Sequence, residues 1–238
     1  MTHRFFISAD QLPDITGSDV HHLRTVLRLK PGAQLELLDG QGNIYLAEIL
    51  ELNKEKVHCK IITTRRDDHE PQVVVTLAQA LPKSSKMDFV VEKCTELGAT
   101  RLIPMLTERT IARTPKTARW AKIAQAAAKQ SGRSLIPAIS APLSFDDVLK
   151  TRSEYDLALI PWELEKDNHL KAVLHSFKAT ATPSPRVLMM IGPEGGFSQK
   201  EIELALAAGF TPVSLGRRIL RTETAGMAVL SIIVHELG

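Results

Sequence analysis

The chain has 238 residues, of which 44% are hydrophobic and 24% are charged, proportions that are ordinary for a globular protein. No run approaches the roughly 18 consecutive apolar residues that a membrane-spanning helix needs. The first six residues, MTHRFF, lack the apolar core and cleavage site of a secretory signal. Cys59 and Cys94 lie far apart and match no metal-ligand spacing, so we expect free thiols, no metal and a cytoplasmic location.

The formal net charge is only +3, but the positive charge is concentrated in one segment. Residues 83–134 carry 11 Lys and Arg against 4 Asp and Glu, a net charge of +7, whereas residues 1–70 and 135–238 each carry −2. A concentrated basic segment is typical of a protein that binds a polyanion. The alternative interpretation is an ordinary solvated helix surface.

The N-terminal part of the chain is predicted to form strands and turns. Residues 34–38 and 44–50 flank Asp39-Gly40-Gln41-Gly42-Asn43, a strong hairpin signal. Residues 56–62 alternate polar and apolar side chains, as a half-buried strand does, and residues 18–29 show the one helical pattern. These elements predict a small, mainly β barrel.

A charged segment that ends in Pro71 follows the predicted barrel, and it is the best candidate for a linker. It predicts two domains, residues 1–70 and residues 71–238. Beyond it, the apolar run 73–80 is typical of a strand that is buried on both faces. Further strands are predicted at 101–105, 155–160, 186–191 and 213–215. Helices are predicted at 84–97, 118–131, 198–208 and 223–236.

Ser198 is the predicted N-cap of the helix 198–208, where Glu201 completes a capping box. Strands that alternate with helices predict an α/β fold with a parallel sheet covered on both faces.

Three of the predicted strands end in segments that are suited to a ligand. They are Pro161-Trp162-Glu163, the glycine loop Ile191-Gly192-Pro193-Glu194-Gly195-Gly196, and the arginine loop Leu215-Gly216-Arg217-Arg218-Ile219-Leu220-Arg221. Ligands of open α/β sheets bind at the carboxyl ends of the strands, and glycines let backbone amides approach them closely. Neither glycine segment is GxGxxG or GxxxxGK[ST], so dinucleotide and P-loop sites are excluded. We expect one pocket for an adenosine-like ligand; the alternative is a set of tight strand-to-helix turns.

Charged side chains beside these glycines are candidates for chemistry. The guanidinium forks of Arg218 and Arg221 are suited to an anion or a base edge, and Glu194 lies within the first turn. An internal salt bridge between Arg221 and Glu223 is the alternative, and it is compatible with a role for Glu223 in orienting Arg221. Trp162 and Phe197 are more often core residues than a stacking platform for bases.

A basic edge is predicted on the helix 118–131, where Arg119, Lys122 and Lys129 share one side with Arg133 just beyond. Contact with phosphates is the functional interpretation.

Together the motifs resemble those of the RsmE family of 16S ribosomal RNA (uracil-N3)-methyltransferases. The strongest matches are Ile191 to Ser198 and Leu215 to Ala225. Supporting matches are His22 to Arg28 with Pro31-Gly32, Glu92 to Gly98, and Gln130 to Arg133. The resemblance covers nearly the whole chain, and the two main motifs show no departure.

The resemblance implies an N-terminal PUA-like β-barrel that binds RNA and a C-terminal SPOUT domain, an α/β sheet tied in a deep trefoil knot. It further implies a homodimer that uses S-adenosylmethionine to methylate N3 of one uridine near the decoding centre, in 16S ribosomal RNA or in the small ribosomal subunit. Two alternatives stay open: 2′-O-ribose methylation by the same fold, and a non-enzymatic RNA-binding assembly factor.

Uracil N3 carries a proton, so the enzyme must remove it or stabilise the anion, and the candidate catalytic residues for this chemistry are Arg221, Arg218, Glu194 and Glu223. The cofactor positions follow from the resemblance. The implied cofactor-binding residues are Pro161, Ile191, Gly192, Pro193, Glu194, Gly195, Gly196, Leu215, Gly216, Ile219, Leu220, Thr224 and Ala225. The expected RNA-binding residues are Arg24, Arg28, Lys83, Arg109, Arg119, Lys122, Lys129 and Arg133.

Overall fold

The computed structural model describes residues 3–8, 10–83, 86–111 and 114–238. These residues form two compact units, the first made of 1–70 with 128–136 and the second of 71–127 with 137–238. The predicted division after residue 70 had placed residues 128–136 in the second domain, whereas here they pack within the first unit.

The first unit contains one five-stranded sheet, in which the strands lie in the order β1-β3-β4-β5-β2. Its strands are β1 (Arg4–Phe6), β2 (Ile15–Thr16), β3 (Gln34–Leu38), β4 (Asn43–Leu52) and β5 (Lys56–Arg66). The β3–β4 hairpin confirms the turn signal at residues 39–43, and β4 pairs antiparallel with β5. Alternate residues of these strands, such as Leu35, Leu37, Ala47 and Ile49, form the core of the unit because successive side chains point to opposite faces.

The helical segment predicted at residues 18–29 is shorter than expected. Helix α1 (Ser18–His21) continues as one π-helical turn, His22–Val26. Arg28 then adopts a left-handed φ of 53°, which is incompatible with a continued right-handed helix.

Residues 128–136 are fixed in the first unit by the carboxylate of Glu70. That carboxylate accepts a 2.7 Å bond from Arg133 Nη2 and further bonds from the backbone N–H groups of Ser134 and Leu135. Leu135 also forms β-bridges to Gly40 and Gln41. A buried arginine needs such a partner, because an unpaired charge is costly to desolvate.

The second unit is built on a sheet whose strands lie in the order β12-β10-β11-β6-β7-β8, with β9 also paired to β7. The strands are β6 (Val74–Ala80), β7 (Arg101–Leu106), β8 (Ala138–Ile139), β9 (Leu143–Ser144), β10 (Leu157–Pro161), β11 (Arg186–Ile191) and β12 (Thr211–Val213). Every pairing in this sheet is parallel, which confirms the predicted α/β class.

Six helices accompany this sheet, and α4 and α5 among them were not predicted. They are α2 (Lys86–Glu96), α3 (Thr117–Ser131), α4 (Phe145–Lys150), α5 (Leu170–Lys178), α6 (Gln199–Ala207) and α7 (Thr222–Leu237). Residues 84 and 85, which were predicted to start α2, lie outside the described residues. The central strands β10 and β11 are buried along nearly their whole length, as expected for strands with both faces covered.

The order of the strands brings three loops together. β12, β10 and β11 are neighbours and parallel, so the loops that follow them leave the same edge of the sheet. These are the three segments that the sequence predicted to share a pocket.

Within the residues that the structure describes, no helix is long and apolar enough to cross a membrane. Cys59 and Cys94 are free and buried, and burial raises the pKa of Cys94 to about 12.

Candidate active site

A cavity of about 560 Å³ lies at this edge of the second unit. The three loops supply nearly all of its wall, and α2 and α7 supply the rest. Its lining residues are Lys86, Pro161, Trp162, Glu163, Ile191, Gly192, Pro193, Glu194, Gly195, Gly196, Phe197, Ser214, Leu215, Gly216, Arg217, Arg218, Ile219, Leu220, Arg221, Thr222 and Ala225.

The glycine loop (residues 192–196) is held by hydrogen bonds from three directions. The hydroxyl of Thr222 donates to the Gly192 carbonyl at 2.5 Å, and Arg109 Nη1 donates to the Gly195 carbonyl at 2.6 Å. Inside the loop, the N–H of Gly196 donates to the Pro193 carbonyl at 2.9 Å. Hydrogen bonds within the protein therefore hold the loop in place.

The backbone conformation of Gly196 favours glycine, and a side chain there would also displace the carboxylate of Glu163. The φ of Gly196 is +66°, a conformation that L side chains rarely adopt, and an added Cβ would lie 2.7 Å from Oε1 of Glu163. At Gly192, an added Cβ would lie 3.3 Å from the ring of Phe197. Because these glycines have no side chains, their backbone atoms and the carboxylate of Glu163 line this part of the cavity.

Helix α6 fixes the far end of the glycine loop. Ser198 and Glu201 form the predicted capping box, and Glu201 also accepts a bond from the backbone N–H of Glu108. Phe197 is 4% exposed and belongs to the hydrophobic core, so the core interpretation of this ring is confirmed. Trp162 packs against the same core from the cavity wall.

A buried polar pair connects the sheet to the loop. Gln79, which is fully buried near the end of β6, donates from Nε2 to the hydroxyl of Thr222 at 2.9 Å. Because Thr222 passes the bond on to Gly192, the central strand, α7 and the glycine loop form one network. Gly226 leaves space for Gln79, since an added Cβ would lie 3.2 Å from its Oε1.

The carboxylate of Glu194 is ionised and tied to the opposite wall. Its Oε1 accepts a 2.9 Å bond from the backbone N–H of Lys83 and lies 3.4 Å from Lys86 Nζ. Burial by itself raises the pKa of Glu194, but these two donors outweigh it and hold that pKa below its usual value. Glu194 is therefore a stable negative charge and a weak proton acceptor.

Lys86 also lies 3.3 Å from Oε2 of Glu223. This oxygen is buried and has no hydrogen bond in the described part of the chain, so the pair is an ion pair by distance alone. The alternative pairing of Glu223 with Arg221 is absent among the described residues. Sequence reasoning missed Lys86, because it lies on a helix far from both glycine-bearing motifs in the chain.

The arginine loop (residues 215–221) is open in comparison. Arg217, Arg218 and Arg221 are exposed, and none forms an ion pair or side-chain hydrogen bond with another described residue. Ile219 is 88% exposed although it lines the cavity. Three guanidinium groups are thus available to an anionic ligand.

The cavity contains all the expected cofactor-binding residues except Thr224, which is exposed on α7. Of the four expected catalytic residues, Arg218, Arg221 and Glu194 line the cavity, whereas Glu223 does not line it and lies 3.3 Å from Lys86 Nζ. Ser214, Arg217 and Thr222 line it as well. Thr222 could have been noticed only as a neighbour of Arg221, because no motif rule selects it.

The expected RNA-binding residues differ in their surroundings. Arg24, Arg28, Lys83 and Lys122 are exposed. Arg119 is paired with Asp88 at 2.8 Å, and Lys129 with Asp19 at 3.2 Å.

Two members of that set have structural roles. Arg133 departs from the predicted contact with phosphate. Its side chain is 8% exposed and bound to Glu70, so it is not available to phosphate. Arg109 uses its guanidinium to hold the Gly195 carbonyl, as described above.

Comparison with known proteins agrees with this architecture. A family model described as an RNA methyltransferase domain matches residues 69–234, and one described as an RNA methyltransferase PUA domain matches residues 15–62. The ribosomal RNA small subunit methyltransferase E of Synechocystis is 38% identical over 97% of this chain and 77% of that protein. The enzyme of that name from Bacillus subtilis is 32% identical over 93% and 89%.

Solved structures show the same likeness. The crystal structure of a ribosomal RNA small subunit methyltransferase E from Neisseria gonorrhoeae, bound to S-adenosylmethionine, superposes with a TM-score of 0.81 at 32% identity. The match covers 98% of this chain and 97% of that one. Since sequence and fold agree over nearly the full length, this chain belongs to the ribosomal RNA small subunit methyltransferase E family.

Proposed function

We propose that this protein transfers a methyl group from S-adenosylmethionine to N3 of one uridine of 16S ribosomal RNA, near the decoding centre. The observation that carries the proposal is the cavity lined both by a hydrogen-bonded glycine loop and by three arginines that have no ion-pair partner among the described residues. Family membership supports the reaction class, and the relative from Neisseria gonorrhoeae binds the proposed cofactor.

The residues present fit S-adenosylmethionine. The cavity of about 560 Å³ lies within the range of about 300–1,000 Å³ that is usual for small-molecule sites. Gly192, Gly195 and Gly196 have no side chains, so their backbone groups could approach the adenosine closely. An added Cβ would meet the ring of Phe197 at Gly192 and the carboxylate of Glu163 at Gly196. Ionised Glu194 would favour a cofactor that carries positive charge.

The proposed chemistry divides between binding and charge stabilisation. When bound, S-adenosylmethionine supplies an electrophilic methyl group. N3 of uracil carries a proton at neutral pH, so the protein must remove that proton or stabilise the anion. Arg221, with Arg218, would donate to the uracil carbonyl oxygens where negative charge develops.

Two carboxylates of the site, Glu194 and Glu223, are the candidates for the proton acceptor. Glu194 faces the cavity, but its lowered pKa makes it a weak base. Glu223 has a buried oxygen without a hydrogen bond among the described residues, but it does not line the cavity and lies 3.3 Å from Lys86 Nζ. We therefore assign the larger share of catalysis to arginine stabilisation of the uracil anion, with Glu194 or Glu223 as the acceptor, directly or through water.

RNA would be held by exposed cations in both units, with Arg24 and Arg28 in the first and Lys83 and Lys122 in the second. Lys122 has no ion-pair partner among the described residues, whereas Arg119 on the same helix is neutralised by Asp88. We expect Lys122→Glu to weaken binding of a 16S ribosomal RNA fragment about threefold to tenfold and to flatten its salt dependence. Filter binding at several salt concentrations measures this, and an affinity equal to that of the wild type would remove Lys122 from the RNA surface.

Nucleoside mass spectrometry of small ribosomal subunits, incubated with the protein and S-adenosylmethionine, tests the reaction. We expect 3-methyluridine as the product. A 2′-O-methylated nucleoside would show that the protein methylates the ribose and not the base. If the protein bound RNA but S-adenosylmethionine gave no heat in a calorimetric titration, a non-enzymatic assembly factor would be the better interpretation.

The proposal includes a homodimer, a trefoil knot at the end of the sheet and a cytoplasmic setting, where ribosomal RNA is found. The position of β11 between β6 and β10 is compatible with a knotted path, because the chain must enter a space between two strands already laid down. Light scattering in solution tests the dimer.

A further inference from the structure

The geometry points to Lys86 as a positioning residue that holds two acidic groups of the cofactor site, Glu194 and Glu223, in place for S-adenosylmethionine. The inference rests on the proposed function, because it concerns the cofactor named there. It assigns to α2 a role in a site that the sequence motifs place entirely in the three loops and at the start of α7.

Lys86 contacts two separate parts of the site, the glycine loop and helix α7. Its Nζ lies 3.4 Å from Oε1 of Glu194 on the glycine loop and 3.3 Å from Oε2 of Glu223 on α7. The side chains of Lys86 and Glu223 are only 32% and 13% exposed, so solvent screens this cluster little. Lys86 itself lines the cavity.

The position of Lys86 in its helix argues against a merely local role. It lies in the first described turn of α2, where the helix dipole disfavours a positive charge. The two carboxylates offset this disadvantage, and they come from residues more than a hundred positions later in the chain. Lys86 therefore acts by linking the glycine loop to α7.

Removing this cation would change both carboxylates. The buried Oε2 of Glu223 has no hydrogen bond among the described residues, so it would lose the counter-charge that Lys86 supplies. Glu194 would keep the backbone N–H of Lys83 but lose the second donor on Oε1. Lys86 would no longer help to lower the pKa of Glu194, so that carboxylate would bind its proton at a higher pH.

The other charged groups near this cluster are already occupied or lie elsewhere. Asp88, two residues beyond Lys86 in α2, is bound by Arg119 and Trp120. Arg109 holds the Gly195 carbonyl on the glycine loop. Arg221 precedes Glu223 at the start of α7, but it forms no ion pair with it in the described part of the chain.

Lys93 provides a matched control on the same helix. Its side chain is 33% exposed, and it also contacts two carboxylates, Glu92 and Glu96, each at 2.8 Å. Both of those partners lie in α2 itself, and Lys93 does not line the cavity. Lys93→Met thus removes an equivalent surface charge without touching the site.

The test is calorimetric titration of S-adenosylmethionine into the full chain between about pH 4 and pH 7. For Lys86→Met we expect a Kd about tenfold higher at pH 7, because Glu194 and Glu223 are no longer held in place. Lys86 helps to hold the pKa of Glu194 below its usual value, so in the variant this carboxylate binds its proton, and affinity is lost, at a higher pH than in the wild type. Lys86→Arg should restore the wild-type profile, and Lys93→Met should match the wild type.

Each outcome decides between the proposals. An unchanged affinity and pH profile in Lys86→Met, beside a wild type that binds, overturns the inference alone. A wild type that binds S-adenosylmethionine but methylates no ribosomal RNA overturns the proposed target, while the variants still decide the role of Lys86. A wild type that binds no S-adenosylmethionine overturns both.

Discussion

The glycine loop and the arginine loop line one cavity but are built in opposite ways. The glycine loop is tied at each end and in the middle, by Thr222, Arg109 and the two donors to Glu194. In the arginine loop the three guanidinium groups have no such partners among the described residues, and Ile219 is almost fully exposed. One wall is ordered in advance, whereas the other keeps its charges available.

The difference corresponds to the two proposed ligands, S-adenosylmethionine and the target uracil. A preorganised loop avoids the cost of ordering the backbone when a cofactor binds. An arginine that is already paired inside the protein would have to break that pair before it met an anion. The unpaired arginines therefore suit a group whose charge appears only during the reaction. This contrast predicts that changes in the two loops affect different measured quantities.

The largest expected effect is on turnover, from Arg221→Ala. We expect kcat on small ribosomal subunits to fall about 100-fold or more, because the developing charge on uracil loses a donor. The Kd of S-adenosylmethionine, measured by calorimetry, should change by no more than about threefold. Arg221→Lys should recover part of kcat, since it keeps the charge and loses the fork. Turnover equal to that of the wild type in Arg221→Ala would end this assignment.

A smaller effect, on cofactor affinity, is expected for Gly196→Ala. Alanine is strained at a φ of +66°, and its Cβ would displace the carboxylate of Glu163. We expect the Kd of S-adenosylmethionine to rise about tenfold, given the typical cost of such strain.

Gly209→Ala is the matched control for this substitution. Gly209 has a φ of +86° and an open environment, with Arg152 Nε 3.7 Å from an added Cβ, and it does not line the cavity. It should lose stability to a similar degree in thermal unfolding without losing affinity. An equal loss of affinity in both variants would show that the conformation of Gly196 has no particular role in cofactor binding.

The smallest effect is expected for Arg109→Met. This change removes the 2.6 Å bond to the Gly195 carbonyl and leaves the rest of the loop in place. Because the guanidinium is partly solvated, we expect only about a threefold rise in the Kd of S-adenosylmethionine. Arg186→Met, at an exposed position on β11 outside the cavity, is the control. If RNA affinity fell while cofactor affinity did not, Arg109 would belong to the RNA surface, as the sequence first suggested.

Some features of this site were accessible from the sequence because they are local. The capping box depends on Ser198 and Glu201 being three residues apart, and the hairpin at residues 39–43 depends on its glycines. Continuous apolar runs such as 186–191 predicted strands buried on both faces. Strand ends followed by glycines predicted one shared pocket, and the parallel neighbours β11, β10 and β12 bring it about.

Other features required contacts between residues that are distant in the chain. Arg133 appeared to be the last member of a basic edge, but Glu70 buries it, and no spacing rule joins those two positions. In the sequence, Gln79 is a polar residue near the end of a strand with no special feature. Only its hydrogen bond to Thr222 in the structure connects it to the glycine loop. Lys86 was one of many lysines in a basic segment.

The sequence by itself determined the class of the fold and the location of the ligand loops, since periodicity, caps and glycines act over a few residues. It also determined the family, through motifs that are continuous in the chain. Only the tertiary structure decided which charges are paired: Lys86 with Glu194 and Glu223, Arg133 with Glu70, and the arginine loop with no described partner. An ion pair depends on distance in space, and distance in space between remote residues is set by the packing of the whole sheet.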